Sequence, residues 1–277
     1  MKSFKLHLIF VVLIAFLLSC VKEKQAYLDS TSAVVSGYLY AGHRIDSILI
    51  SESNSYSGDG VFRTIDDLEV LINDGGQDYR LDFIGNGYYQ SKQIEVISDK
   101  EYSISFRWNG ADIKASTHIP LANHAQISDS IIYREQITGN GGFGPGSFER
   151  PDPIEVSWDN TDGDYYFVLV ENMEDSAEYI FTFLEELIEQ GDSIRRPSFR
   201  SRPEIVDFYG IDSFNDIQQF GRYRVVVYRL NSEYAALYEQ LGSSSISISS
   251  PPTNVDNGLG IFTGISTDTV YFEVKKI

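Results

Sequence analysis

The sequence has very little of the chemistry on which most enzymes and metalloproteins depend. Its 277 residues include one cysteine, two methionines, two tryptophans and four histidines. A single cysteine excludes an intrachain disulfide framework and any zinc site built from several thiolates. The chain also has no HExxH metal motif, no GxSxG nucleophile elbow and no GxxxxGK phosphate loop. These patterns therefore give no support to catalysis.

Positive charge is also scarce. Lysine and arginine total 22 against 40 acidic side chains, for a net charge of −18 at pH 7. The first 19 residues hold two lysines and no acid, so the rest of the chain carries 20 basic and 40 acidic side chains. Such a surface repels phosphate backbones and anionic headgroups. We therefore predict no nucleic-acid partner.

Long apolar runs are absent except at the start. Leu8 to Leu18 is an unbroken apolar stretch of eleven residues, whereas a membrane-spanning helix needs about 20. With Lys2 and Lys5 before it and the small Ser19 behind it, this stretch is typical of a secretory signal peptide. We predict a signal peptide over residues 1–19.

The lone cysteine follows directly. Leu17-Leu18-Ser19-Cys20 resembles the lipobox of bacterial lipoproteins, in which the sulfur receives a diacylglyceryl group, the chain is cut before the cysteine and the new amino terminus is acylated. One acyl chain holds a protein only marginally at a membrane, whereas several anchor it stably. The alternative is an ordinary secreted protein with an unpaired cysteine. The resemblance predicts lipidation of Cys20 and attachment to a membrane through this anchor.

The remaining chain is dominated by short alternating segments separated by turn residues, which favours a mainly β fold made of two β-sandwiches. Residues 20–32 read as a lipidated polar tether and 33–120 as an N-terminal β-sandwich. Residues 121–153 are a connector with a Gly-rich loop. Residues 154–277 read as a second β-sandwich that carries two helices.

Local signals place the turns and helices. Asp74-Gly75-Gly76, Gly85-Asn86-Gly87 and Asn109-Gly110 predict hairpin turns. Asp175 with Glu178 three residues later predicts a capping box that opens a first helix, and Asn231 predicts the cap of a second. The end of the chain, from Gly260, is read as two final strands.

Four segments carry a family resemblance: IPLANHAQISDSIIY, DYYFVLVENM, RLNSEYAALYEQLG and NGLGIFTGISTDTVYFEV. In this order they resemble the Bacteroidota lipoproteins that carry domain of unknown function 4249, over essentially the whole chain after residue 20. The resemblance implies a prealbumin-like first domain, a fibronectin-like second domain and an outer-membrane location, often beside a TonB-dependent receptor, with no established activity. Val21 and the KEKQ that follows leave open which face of the outer membrane is occupied.

Two sets of residues suggest binding sites. The first consists of aromatic residues in or beside glycine-rich turns, namely Tyr88, Tyr89, Phe143 and Phe148. Such rings either grip a partner or cover the edge of their own domain. The second is a group of arginines in an otherwise acidic chain, namely Arg195, Arg196, Arg200 and Arg202. These form either a docking patch for an anionic partner or a solvated loop paired with nearby carboxylates.

A recurring triplet suggests modification. Asp followed by Ser or Thr and then an aliphatic residue, Ala or Thr resembles the O-glycosylation site of Bacteroidota envelope proteins. The acceptors in question are Ser47, Ser130, Ser193 and Thr269. The alternative is that Asp-Ser simply leads into a strand or helix.

The sequence thus favours a lipid-anchored binding or accessory module of the cell envelope that works beside an outer-membrane receptor or transporter. One alternative is a structural or adhesive surface protein. Another is an envelope hydrolase, which requires converging carboxylates with shifted pKa values. We predict no cofactor. The oxygen-rich run from Asp159 to Asp164 leaves calcium as an alternative, although such residues are also ordinary in turns.

Overall fold

The computed structural model describes residues 31–53, 61–138, 152–182, 198–212, 215–242 and 252–277. Six positions singled out in the sequence lie outside the described residues: Cys20, Phe143, Phe148, Ser193, Arg195 and Arg196. The described part of the chain is mainly β, as the alternating pattern predicted. The arrangement as two separate sandwiches stays a prediction.

Within the described ranges there are seventeen strands and one long helix. The strands are β1 Ala33–Tyr40, β2 Arg44–Glu52, β3 Leu71–Asn73, β4 Asp78–Arg80, β5 Asp82–Gly85, β6 Tyr88–Glu95, β7 Glu101–Trp108, β8 Ala111–His118, β9 Gln126–Ile127, β10 Ile131–Arg134, β11 Ile154–Ser157, β12 Tyr165–Asn172, β13 Ser198–Arg200, β14 Phe208–Ile211, β15 Gly221–Leu230, β16 Val255–Asp256 and β17 Leu259–Lys276. The helix, α1, is Ser232–Gly242.

These strands form three sheets. The largest has nine strands in the order β13-β12-β15-β17-β1-β2-β6-β5, with β10 also paired to β17. A five-stranded sheet has the order β16-β8-β7-β3-β4, and a three-stranded sheet has the order β14-β11-β9. The nine-stranded sheet therefore extends through both halves of the chain.

Strand β17 joins the two halves. Its 18 residues pair in parallel with β1 from Leu259 to Ile265 and antiparallel with β15 from Ile265 to Val274. The sequence analysis predicted two strands here, and that prediction is wrong. No turn interrupts the segment, because the pairing with β15 begins at the residue where the pairing with β1 ends.

Two large hydrophobic cores lie against the nine-stranded sheet, and a small third cluster contains Phe167, Leu230 and Ile265. The first is built from strands of the first half, and includes Ile50, Tyr89 and Ile104. Val255 and Phe262, which belong to the predicted second domain, are also buried in it. The second core gathers the inner side chains of β11, β12, β14 and β15 with the last part of β17. Each core therefore depends on the strand that passes between them.

The hairpin turns read from the sequence are present. Asn86 and Asn109 adopt positive φ angles of 52° and 47°, and the glycine after each is also left-handed. Asn-Gly supplies this pair of angles at low cost, which suits a tight hairpin. Gly75 and Gly163 are left-handed as well.

The predicted start of the first helix is wrong. Residues 175–181 are not helical, and Tyr179 and Phe181 instead form isolated bridges with Gln219 and Ile137. Tertiary pairing has therefore overridden the local capping signal at Asp175. The later residues of that predicted helix, 183–190, lie outside the described ranges.

Candidate binding surface

One face of the nine-stranded sheet carries an unusual set of side chains. Residues directly opposite each other on neighbouring strands share a face, and the register aligns Phe167 of β12 with Tyr228 of β15 and Thr267 of β17. Alternate residues such as Val168 and Val227 point the other way, into the second core. The same register adds Glu171, Arg200, Arg222, Arg224, Thr269 and Tyr271. We call this set the arginine–aromatic face.

Arg200 is the centre of an aromatic stack. Its guanidinium carbon lies 4.2 Å from the centroid of the Phe167 ring, and that ring stacks on Tyr228 with centroids 4.2 Å apart and an angle of 13°. One Nη of Arg200 donates a hydrogen bond to the Tyr234 hydroxyl of α1 at 2.8 Å. The π face of Phe167 and the Tyr234 hydroxyl thus position the guanidinium while the Arg200 side chain stays exposed.

A second ring–arginine pair lies further along the same face. The guanidinium of Arg222 lies 4.8 Å from the centroid of Tyr271, and both side chains are exposed. Arg224, between the two stacked arginines, donates to Glu171 at 2.5 Å, and this hydrogen bond raises the pKa of its guanidinium. In the described part of the chain, neither Arg200 nor Arg222 has a carboxylate within ion-pair distance.

The face is locally basic in an acidic chain. Its strands carry the basic side chains Arg200, Arg222, Arg224 and Lys275 and the acidic side chains Glu171 and Glu273. Burial raises the pKa of Tyr228 and of nearby Tyr40, so both tyrosines are neutral at physiological pH. Arginines on neutral rings, with few acids among them, give this face a charge opposite to that of the whole chain.

Exposed apolar side chains continue the face beyond the stack. Ile131 and Tyr133 of β10 lie opposite Glu273 and Lys275 of β17, on the same side as Tyr271, and are 45% and 58% exposed. Tyr271 is itself 42% exposed. Exposed apolar residues grouped on one face, rather than scattered singly, indicate an interaction surface.

Helix α1 packs at one end of this face and is fastened by polar contacts. The Glu233 carboxylate accepts hydrogen bonds from the buried hydroxyls of Thr117 at 3.0 Å and Thr263 at 3.2 Å. Asn231 was predicted to cap the helix, but its side-chain amide donates to Thr117 at 2.9 Å and to the His118 carbonyl at 2.7 Å. Its backbone carbonyl accepts from Tyr234 and so begins the helix.

A cleft of about 430 Å³ opens beside this network and is lined by Glu101, His118, Asp164 and Glu233, among others. Glu233 is already bound by two hydroxyls, and Asp164 is bound by Arg229. His118 lies 3.3 Å from Asp99. Two of the cleft's carboxylates, Glu233 and Asp164, are thus occupied by other side chains, and the hydrolase alternative stays a prediction.

The oxygen-rich loop considered for calcium is held by an arginine. Arg229 contacts Asp162 at 2.8 Å and Asp164 at 2.5 Å, and the Asn160 side chain bonds the backbone N–H and C=O of Asp164. Within the described ranges, no group of three or more His, Cys, Asp or Glu side chains is placed to hold a metal ion. The calcium alternative therefore stays a prediction.

The tyrosines predicted at the β5–β6 turn are separated by the pleat of β6. Tyr88 is 40% exposed, whereas Tyr89 is fully buried in the first core. The Tyr89 hydroxyl donates to the Ile65 carbonyl at 2.9 Å and accepts from the Leu68 N–H at 3.1 Å. Tyr88 is therefore available to a partner, and Tyr89 is a structural residue.

The described acceptors of the glycosylation hypothesis differ in access. Ser47 and Ser130 are exposed, on β2 and just before β10. Thr269 is half-buried in β17, where it faces Val226 of β15. Arg202 is also exposed, just beyond β13. The two serines are thus open to modification, while the sheet restricts access to Thr269.

One family model matches this chain over most of its length. The model of the family described as "Domain of unknown function (DUF4249)" matches residues 22–270. The chain belongs to this family. No curated protein matches it. No helix in the described part of this DUF4249 protein is both long and apolar enough to cross a membrane.

Two solved structures show distant likeness to this DUF4249 protein. One is titled "Anomalous substructure of Titin-A168169", with 11% identity, a TM-score of 0.22, and coverage of 89% of this chain and 99% of that one. The other is titled "Crystal structure of the Protocadherin GammaB4 extracellular domain", with 9% identity, a TM-score of 0.18, and coverage of 88% and 33%. At these scores neither likeness says anything about the function of this family member.

Sequence reasoning found only part of the arginine–aromatic face. It singled out Arg200 and Thr269 but missed Phe167, Tyr228 and Tyr271. A signal was available, because Tyr228 and Arg224 alternate with valines in GRYRVVVYRL, and such alternation marks a strand with one face outside the core. No local sequence pattern shows which strands pair with each other, so the sequence could not predict that these residues share one face.

Proposed function

We propose that this member of the family is a lipid-anchored binding module of the cell envelope that holds a partner protein on its arginine–aromatic face. The observation that carries the proposal is the exposed Arg200, whose guanidinium lies against the buried ring of Phe167, which in turn stacks on the half-buried Tyr228. Tyrosine and arginine are enriched among the residues that dominate the energetics of protein interfaces.

The anchor would act through confinement. Acyl chains on Cys20 restrict the module to the membrane surface, which raises its effective concentration near membrane partners, so that weak contacts suffice. The two halves of the chain, each proposed to be a β-sandwich, would then serve as a rigid base for the face. An outer-membrane receptor or transporter is the partner that the family resemblance favours.

A native pull-down tests the proposal. Detergent-extracted wild-type protein is compared with Cys20→Ala and with the double variant Arg200→Glu/Arg222→Glu. We expect the wild type to recover an outer-membrane receptor or transporter, and both variants to lose it, the double variant while still fractionating with membranes. Arg107→Glu is the matched control, since Arg107 is also exposed but lies on β7 of the other sheet, 3.9 Å from Asp112.

The outcomes separate the rival functions. An empty partner set for the wild type would contradict the accessory role. Recovery only in filaments of the protein itself would favour a structural or adhesive surface protein. A partner that binds the double variant as well as the wild type would place the contact elsewhere on the molecule.

A further inference from the structure

The charges and rings of the arginine–aromatic face assign a chemistry to its partner, and this inference rests on the proposed function. We infer that the face binds an extended, carboxylate-rich protein segment, with Arg200 and Arg222 each pairing with one carboxylate. Both guanidinium groups are exposed and have no carboxylate of their own in the described part of the chain.

The ring stacking prepares these arginines for carboxylates. A guanidinium in contact with a ring face still presents the N–H donors at its edge, in the fork that matches a carboxylate. One Nη of Arg200 donates to Tyr234, and within the described residues its other N–H donors have no carboxylate partner. Since Phe167 holds Arg200 and Tyr271 holds Arg222 in place, binding freezes little side-chain motion, and a smaller share of the interaction energy is lost.

The spacing of the arginines suits one extended segment. Arg200 lies in the row of Leu169, and Arg222 lies in the row of Met173, whose N–H bonds the Arg222 carbonyl. These rows are four residues apart along β12, or about 13 Å, and the two arginines are two strands apart, or about 10 Å. The diagonal of roughly 16 Å lies between the spacings of about 13 Å and about 20 Å at which residues four or six apart place their side chains on the same side of an extended peptide.

The same geometry disfavours two other occupants. Neutral sugars stack on open ring faces, but a guanidinium covers a face of Phe167 and of Tyr271. An anionic membrane is repelled by the net charge of −18 over the whole chain, whereas a slender acidic segment contacts only the basic face. The exposed Ile131 and Tyr133 at the edge of the face offer apolar contact to the flanks of such a segment.

The experiment measures peptide binding by the full chain. The probe is a labelled 16-residue Gly/Ser peptide with two glutamates four residues apart, whose side chains point to the same side of an extended chain, and two further glutamates outside them. Its control has glutamine at all four positions. We expect fluorescence anisotropy to show at least tenfold tighter binding of the glutamate peptide, weakening with added salt. Arg200→Gln/Arg222→Gln should lose that preference, and Arg107→Gln should keep it.

Folding and rival ligands are checked in the same series. Far-UV circular dichroism confirms that the double variant is folded. Equal binding of both peptides, or an unchanged preference in the double variant, would overturn the inference. Tighter arginine-dependent binding to anionic vesicles or to polygalacturonate than to the glutamate peptide would overturn it in favour of a lipid or a polysaccharide. If the pull-down partner depends on the face while the peptides are not distinguished, the binding module stands and the carboxylate assignment falls.

Discussion

At the scale of single residues, the structure separates side chains that the sequence places together. Tyr88 and Tyr89 are adjacent and chemically identical, yet one is exposed and the other is fully buried. Because side chains alternate along a strand, one of the two tyrosines faces the core and the other faces away, but the alternation does not determine which one is buried. That choice depends on the sheet that packs against β6, which no local pattern reveals.

The buried hydroxyl of Tyr89 gives the first prediction. Tyr89→Phe leaves the Leu68 N–H without its acceptor and the Ile65 carbonyl without its donor. We expect the free energy of unfolding to fall by about 1–3 kcal/mol, the usual penalty for a buried group left unpaired. Urea denaturation measures it. Tyr88→Phe is the neighbouring control and should stay within about 0.5 kcal/mol; equal losses in the two variants would contradict the assignment.

Asp216 gives a prediction about pH. Its side chain is buried, and burial raises the pKa of the carboxyl, opposed by hydrogen bonds from the Asp212 N–H at 2.8 Å and the Tyr209 hydroxyl at 3.0 Å. A raised pKa means that the folded state binds the proton more tightly than the unfolded chain does. The stability from this group is therefore present at low pH and lost as pH rises through the folded pKa.

Asp216→Asn removes the buried charge but keeps an oxygen that accepts both hydrogen bonds. We expect the variant to unfold at a higher urea concentration than the wild type at pH 7, and the difference to shrink as pH falls toward about 3, below the ordinary pKa of aspartate. Asp112→Asn, at an exposed site, should change stability little at either pH. A gain that persists undiminished at low pH would exclude the buried charge as its cause.

At the scale of elements, the sequence predicted the turns correctly but did not always distinguish strands from helices. Asn-Gly turns specify their own backbone angles, so the hairpins at Asn86 and Asn109 were found. The capping box at Asp175 was equally well formed in sequence, but the segment bridges Gln219 and Ile137 through Tyr179 and Phe181. Local sequence signals predict an element correctly where its hydrogen bonds are formed between neighbouring residues, as in a hairpin turn. They fail where residues distant in sequence pair with the same segment of backbone.

The parallel pair of β1 and β17 gives an element-scale prediction. Gly260 has a φ of +99°, and a Cβ placed there would overlap the Val35 carbonyl of β1. We expect Gly260→Ala to lower the free energy of unfolding by about 3 kcal/mol or more, since the backbone strain and the steric overlap add. Gly110→Ala is the control: its φ is +80° but nothing lies within 4 Å of the added carbon, so only the strain of about 1 kcal/mol remains. Chemical denaturation of the two variants compares these costs.

At the scale of the whole molecule, β17 makes the two halves depend on each other. Phe262, from its first part, is fully buried in the first core, and Phe272, from its last part, is buried in the second. The sequence shows two strand-like stretches here because polar residues such as Ser266 and Asp268 lie between them. Both polar side chains are hydrogen-bonded, because Asp268 accepts from the Ala125 N–H of the connector and Ser266 donates to the carbonyl of Pro120, just before the connector. The strand therefore continues through them.

A shared central strand predicts that both halves unfold together. Trp108 packs against the first core and Trp158 lies in the second, so Trp108→Phe and Trp158→Phe leave one reporter for each half. We expect the fluorescence and far-UV circular dichroism transitions to coincide within each variant, because losing β17 from one core removes it from the other. Comparing two signals within one protein makes the test independent of any stability lost through the substitution. Fluorescence that follows only part of the dichroism change, with a second transition at another urea concentration, would show that the halves unfold separately despite the strand they share.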